Sequence, residues 1–279
     1  MGILRIESCL DRPARFKEDG LVIVDAEPTI IAVCDGFSVP YDQENLPILV
    51  GGLGTGEVVR QCFCRNITAA KDIELVDAIR EIDGLIKMFH EQLGKSHQLA
   101  QEPAYFSGLT FATAKIDLLN TDCEIEIFQC GDCIALWRFK DGFIKYTDNP
   151  VKKASIRDRA LKEQLQKQYG KERYRTFFTP LMMAQKNRDI NNPESIEGYP
   201  ALNGKLSIGM CRYLSLPINI LDFLLLCTDG FLPFDWFNEP EKMRELANIV
   251  QKRGVHDQLW RIRDSGQTAE AAAVAVWFD

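Results

Sequence analysis

The chain has 279 residues, of which 46% are hydrophobic, enough for a sizeable core in one large unit or two small ones. A formal net charge of −7 argues against a general nucleic-acid binder, whose surface is normally basic. Nine cysteines, an odd number lying mostly in apolar or strand-like runs (Cys9, Cys34, Cys62, Cys64, Cys123, Cys130, Cys133, Cys211 and Cys227), read as free thiols of a reducing compartment rather than as a disulfide framework.

The opening MGILRIESCLDRPARF lacks the long apolar region and the small-residue cleavage site of a signal peptide. The longest apolar run, around Phe223–Cys227, is too short to cross a bilayer. The expectation is a cytoplasmic, monomeric protein with no membrane or nucleic-acid partner. Ile3–Glu7 and Gly20–Val24 read as short strands, joined by a polar stretch that ends in Glu18-Asp19. Ile30–Phe37, IIAVCDGF, is a continuous apolar run of the kind that forms a strand buried on both faces, and it ends in Asp35 and the turn-permissive Gly36. Phe37–Leu53, with two prolines and Gly51-Gly52, reads as a loop. Thr55 is placed to cap one helix running toward Ala69. Asp72 is placed to cap a second, with Leu75, Val76, Ile79, Ile82, Leu85, Ile86, Phe89 and Leu93 on one face and Gly94 as its stop. From Ser107 to Tyr146 the pattern turns to strands, with Asp141-Gly142 as a hairpin turn. Lys152–Arg175 reads as a solvated helix and Asn187–Gly204 as an extended surface insertion. Phe223–Phe231, FLLLCTDGF, repeats the design of a buried strand running into an aspartate. Helices over Pro240–Lys252 and Val255–Arg263 and a final strand at Ala271–Phe278 complete an α+β chain.

Of five Asp-Gly pairs, those at Asp35 and Asp229 each follow a buried-type strand. Asp141 is a turn residue, and Asp83 falls on a helix face expected to be solvated. A carboxylate at the end of a buried strand is costly unless it is paired or bound to a cation. The chain has only three histidines. Carboxylates without histidine favour Mg²⁺ or Mn²⁺ over zinc, and two such ions about 3.5–4 Å apart can clamp a phosphoryl group.

The order ED, AVCDG, Gly-Gly before GE, GLTF, FQCGDCIALWRFKDG, LLLCTDG and a last apolar strand resembles the metal-dependent serine/threonine protein phosphatases of the PPM family, the type 2C phosphatases, over about Glu18 to Phe278. The resemblance implies a four-layer α-β-β-α sandwich of two antiparallel sheets. It implies a single domain over 1–279, with a rim insertion near 37–53 and a variable surface segment near 151–205. It also implies two Mn²⁺ or Mg²⁺ ions, with a third in some members, and a phosphorylated protein substrate. Carried over by motif, Asp35 bridges both ions, Gly36 offers its carbonyl, and Asp229 is a further ligand. Glu18 and Asp19 hold ion-bound waters, and Asp132 serves the third ion. Arg12 and Arg15 are the phosphate-binding candidates.

The chain departs from the family pattern in three places. Glu270-Ala271 stands where the family has Asp-Asn, so Glu270, or Asp264 if its loop folds back, is the expected last ligand. Phe37 takes a position that is histidine in some members. The glycine pair is displaced to Gly51-Gly52 by the apparent rim insertion. Glu270-Ala271 and the rim insertion motivate an alternative reading, a pseudophosphatase that keeps the fold as a binding or regulatory module. The remaining motifs read as structural. Cys130-Gly-Asp-Cys133 is flanked by strands and is expected to be two ordinary cysteines, and Phe231, Phe234, Trp236 and Phe237 are expected to pack.

Overall fold

The computed structural model describes residues 2–13, 17–37, 48–97, 107–119 and 124–279. The first half of the chain forms β1 (Ile3–Asp11), β2 (Asp19–Val24), β3 (Thr29–Phe37), β4 (Leu49–Val50), β5 (Leu53–Gly54), α1 (Thr55–Asn66), α2 (Leu75–His97), β6 (Gly108–Ile116), β7 (Glu124–Cys130), β8 (Ile134–Phe139) and β9 (Ile144–Tyr146). The second half forms α3 (Lys152–Asp189), β10 (Arg212–Pro217), β11 (Leu221–Cys227), α4 (Pro240–Arg253), α5 (Val255–Asp264) and β12 (Ala271–Phe278).

Ten strands make two antiparallel sheets, ordered β1-β12-β11-β8-β9 and β10-β7-β6-β3-β2, while β4 and β5 form a small hairpin. The alternation of side chains along each strand sorts them into layers. In β3, Ile31 and Val33 face the opposite sheet, whereas Ile30, Ala32 and Cys34 lie under α1 and α2 with Phe63, Ile79 and Ile82. In β11, Leu224 and Leu226 face between the sheets, whereas Phe223 and Leu225 pack on α4 with Met243 and Leu246. The result is the expected helix-sheet-sheet-helix sandwich. Each large apolar side chain buried in it contributes roughly 1.5–3 kcal/mol.

Several local expectations are corrected. β3 does not end in a turn at Gly36; it continues to Phe37, with Asp35 paired to Thr110 and Gly36 to Leu109. Glycine is required at 36 by close approach. A Cβ there would stand 2.9 Å from the Gly56 carbonyl oxygen and 3.2 Å from that of Glu18, and backbone cannot yield cheaply. Thr55 is the first residue of α1, behind Gly54, with no side-chain cap. Asp72 closes a short 3-10 turn (Ile67–Lys71) instead of capping α2, and α2 passes Gly94 to reach His97. Asp83 is not a solvated face: its carboxylate accepts the N–H groups of Gly204 and Leu206 at 2.7 and 3.1 Å, which tie α2 to the segment after α3.

The largest correction concerns residues 151–205. The charged stretch forms α3, a helix broken at Gly170 (φ 79°), and it extends beyond the expected Arg175 to Asp189. The segment after it is not a surface insertion. Ile190, Tyr199, Ala201, Leu202 and Asn203 are buried, and Leu202 bridges Leu109 at the start of β6. Several of its polar side chains bond within the fold, as Asn191 does with the Ala201 carbonyl oxygen and Asn203. Asp189, with no exposed side-chain surface, pairs with Arg157 and Arg188 and accepts from Ser195. Of the expected rim insertion, residues 38–47 lie outside the described residues. Among the described residues, no helix is long and apolar enough to cross a membrane.

Candidate active site

Strand parity and register build the site. Asp19 and Leu21 share a face of β2; Asp35, Val33 and Ile31 share one of β3; Thr110 and Ala112 share one of β6. All three faces look into the space between the sheets. The register sets Asp19 opposite Asp35, and Asp35 opposite Thr110. Like charges directly opposite on neighbouring strands repel. From the other sheet, Thr228 follows β11 and Asp229 opens a short 3-10 turn. Asp132 sits in the β7–β8 turn, where it accepts from Thr110 Oγ1 at 2.7 Å.

The carboxylates share hydrogen bonds: Asp35 is linked to both Asp19 and Asp229. Thr228 Oγ1 donates to Asp19 at 2.7 Å and receives the Ala272 N–H at 2.9 Å, which staples the two sheets at this point. Burial, joined by the charges of Asp19, Asp229, Asp132 and Glu18, pushes the Asp35 carboxyl well above its ordinary range. Burial likewise pushes Asp19 up to about 7 against the bonds from Thr228 and Asp35, with Glu270 and Asp132 adding repulsion. Asp229 also rises to about 7, through burial and then the charges of Asp132 and Asp19. Asp132 is raised by burial as well. This donor set has more buried negative charge than its protein neighbours neutralise, which suits hard divalent cations.

Glu270 rather than Asp264 joins this group. Its Oε2 accepts the N–H groups of both Glu18 and Asp19 at 2.7 Å, so it ties the start of β12 to the start of β2. Its Oε1 is buried with no hydrogen-bond partner. Asp264 is exposed at the end of α5. Gly230 keeps this junction tight, since a Cβ there would lie 1.6 Å from the Glu270 carbonyl oxygen. Among the described residues, no three His, Cys, Asp or Glu side chains are arranged as a ready-made cation cage. Carboxylates bonded to one another and to backbone N–H groups must turn to close on an ion.

Beside the carboxylates lies a cavity of about 270 Å³, lined by Asp35, Asp132 and Thr110 on the sheet side and by Ser155, Asp158 and Lys186 from α3. Phe37 forms part of its wall, with the Lys186 ammonium 5.2 Å from its ring centroid. Burial lowers the Lys186 pKa, opposed by Asp158, Asp132, Glu18 and Asp35. Arg159, stacked 3.6 Å over the Phe234 ring, lends positive charge to Asp229. Sequence reasoning missed Asp158 and Arg159 because Lys152–Arg175 reads as a solvated charged helix, and Lys186 because it lies beyond that stretch, where no element was expected. The apolar clusters FFTPLMM and YPAL, at the end of α3 and just beyond, were the only sign in the residues that the segment packs against something.

Of the two arginine candidates, Arg12 lies toward α1, where its charge acts on Cys64, and Arg15 lies outside the described residues. Cys130, at the end of β7, packs in the layer under α1 and α2, whereas Cys133, just before β8 of the other sheet, packs between the sheets, so they form no CxxC centre. Phe231 and Phe237 are buried against α4, as expected of packing residues. Cys123 lies outside the described residues.

No protein-family model matches the sequence, and comparison with curated proteins gives no match. Solved structures do match over the whole chain. The serine/threonine phosphatase Stp1 from Staphylococcus aureus is 14% identical, with 100% of this chain and 96% of that one covered and a TM-score of 0.59. The PPM Ser-Thr phosphatase MsPP from Mycobacterium smegmatis, in complex with cacodylate, is 16% identical with 100% of both chains covered and a TM-score of 0.53. The catalytic domain of the serine/threonine protein phosphatase PstP, in complex with 2 manganese ions, is 17% identical with 98% and 97% covered and a TM-score of 0.55. The chain therefore has the fold of the PPM-type serine/threonine phosphatases.

Proposed function

We propose that the chain is a metal-dependent phosphatase that hydrolyses phosphoserine or phosphothreonine in proteins. The observation that carries this reading is the convergence of Asp19, Asp35, Asp132 and Asp229, from four segments of two sheets, beside a cavity that also presents Lys186. The manganese-bound PstP domain of the same fold supports the choice of cation. In this reading Asp35, the Gly36 carbonyl, Asp229 and the unpartnered Glu270 Oε1 would hold two Mn²⁺ or Mg²⁺ ions, Glu18 and Asp19 would hold ion-bound waters, and Asp132 would serve a third ion. Such ions, when bound, acidify water and neutralise charge on a phosphoryl group.

The chain's own residues do the rest. Thr228 fixes the orientation of Asp19 through its hydroxyl, and Glu270 fixes the backbone of Glu18 and Asp19. Lys186 sets a cation against the dianionic phosphate, a role for which Arg12 and Arg15 were the sequence candidates. Phe37, Phe178, Met182 and Tyr199 line the cavity with apolar surface, which strengthens that attraction. With Phe37 in place of a histidine, no imidazole at that position protonates the leaving alkoxide, and the proton comes from water or another group.

The test is turnover of a phosphothreonine peptide by chain purified free of metal and titrated with Mn²⁺. Activity should rise with Mn²⁺ and fall at least a hundredfold in Asp35→Asn and Asp229→Asn. A folded sample with no metal-stimulated turnover would refute the proposal. One observation favours a second reading, a pseudophosphatase serving as a binding module: Glu270 Oε2 is already engaged by two backbone N–H groups. Calorimetry separates the two, because the module should bind Mn²⁺ weakly or at one site only.

A further inference from the structure

Behind Asp35, on the face of the second sheet that turns away from the carboxylates, two thiols meet. Cys34 precedes Asp35 in β3, and strand alternation places its side chain in the layer under α1. Cys64, near the end of α1, brings its Sγ to 3.9 Å from that of Cys34. The neighbouring strand leaves the space for this approach. Residue 20 is glycine, and a Cβ there would stand 2.7 Å from Cys34 Sγ and 2.8 Å from Cys64 Sγ. Cys34 is fully buried, whereas Cys64 is partly exposed, so one member of the pair is open to a small oxidant.

The surroundings of Cys64 are electropositive, as reactive thiols require. Its pKa is lowered, first by the hydrogen bond with Cys34 and then, against the effect of burial, by Arg60 and Arg12. Cys130 and Cys211 also touch through a hydrogen bond, but the charges bearing on Cys130 are those of other thiols and Asp83. The two contacts thus differ in chemistry.

We propose that Cys64 and Cys34 form a peroxide-oxidisable dithiol whose disulfide ties α1 to the strand that carries Asp35. In the first step the Cys64 thiolate attacks one oxygen of hydrogen peroxide. An S–O bond forms, the O–O bond breaks, and the departing hydroxide takes a proton and leaves as water. Sulfur is oxidised to the sulfenic acid and the peroxide is reduced. In the second step Cys34 Sγ attacks the Cys64 sulfur. The S–S bond forms, the S–O bond breaks, and hydroxide leaves with the Cys34 proton as a second water. Two thiols and one peroxide become one disulfide and two waters. The sulfurs must close from 3.9 Å to about 2.05 Å, a movement that α1 and β3 share.

The test uses the full chain, folded and reduced, exposed to hydrogen peroxide, then alkylated and digested without reductant for mass spectrometry. The expected product is a cross-linked pair of peptides containing Cys34 and Cys64, two hydrogens lighter than their reduced sum and released by dithiothreitol. In Cys34→Ala, which removes the resolving thiol, Cys64 should instead be trapped by dimedone as its sulfenic acid. Recovery of Cys64 as the alkylated free thiol, as a sulfinic acid without cross-link, or joined to any other cysteine would overturn the proposal. So would the absence of dimedone label on Cys64 in the variant. None of these readouts depends on phosphatase activity, so the pair stands or falls apart from the proposed function.

Discussion

Glu270→Ala tests how the site is held together before any cation enters. One carboxylate oxygen accepts two backbone N–H groups, from Glu18 and Asp19, at 2.7 Å each. Hydrogen bonds to an ionised acceptor contribute about 1.5–3 kcal/mol each. Loss of both, with water partly replacing the acceptor at this half-buried position, should cost about 3 kcal/mol. For a chain of this length that corresponds to a fall in Tm of roughly 5 °C. The measurement is thermal unfolding followed by circular dichroism in EDTA, so that metal binding does not enter. Glu270→Gln retains an acceptor oxygen without the charge and should lose about half as much. Parent and alanine variant melting within about 1 °C of one another in EDTA would show that the two bonds do not carry this energy. Adding Mn²⁺ extends the experiment. At a hundred times its Kd a bound ion should stabilise the parent by about 2.7 kcal/mol, and the glutamine variant should lose most of that increment because its Oε1 equivalent no longer carries charge.

Two further expectations concern pH. In the metal-free protein Asp229 titrates near 7, above its ordinary 3.8, so between those values the folded chain binds a proton that the unfolded chain releases. The associated stability is present below the unfolded pKa and is lost as pH rises through the folded one, by up to about 4 kcal/mol. Asp229→Asn, measured in EDTA, should therefore gain on the parent between about pH 4 and 7; a gap that does not change with pH would rule out burial of the Asp229 charge as its origin. His90 has the opposite sign. Buried and bonded to the Ser107 carbonyl oxygen at 2.7 Å, its pKa is lowered by burial from 6.5 to about 4. Its stability is present above the unfolded pKa and fades as pH falls toward the folded one, by about 3 kcal/mol. Urea unfolding at a series of pH values should show that slope in the parent and a shallower one in His90→Gln.

Much of the architecture is legible in the residues because it depends on local periodicity. The apolar runs before Asp35 and Asp229, the amphipathic repeat of α2, the hairpin at Asp141-Gly142 and the last strand at Ala271–Phe278 each follow from patterns a few residues long. The order of the short motifs carries the expectation of a two-sheet sandwich, and the structure has that fold. Asp19, Asp35, Asp132 and Asp229 come together at one place because each stands within two residues of the end of a strand.

What the residues alone do not determine is how distant segments meet. Local sequence reads residues 187–204 as a polar surface loop, since nothing nearby reveals that Asp83 on α2 and Arg157 on α3 satisfy its backbone and its carboxylates. It leaves Lys186 indistinguishable from the other cations of α3, because only tertiary packing turns one face of that helix toward the carboxylates. It marks Glu270 as a departure from a pattern, whereas in the fold one oxygen of that residue joins the two sheets and the other is left buried and unpartnered. Periodicity is a short-range property of the chain and sets its elements. Charge compensation and close approach act between residues tens to hundreds of positions apart, so they are decided only when the segments meet in the fold.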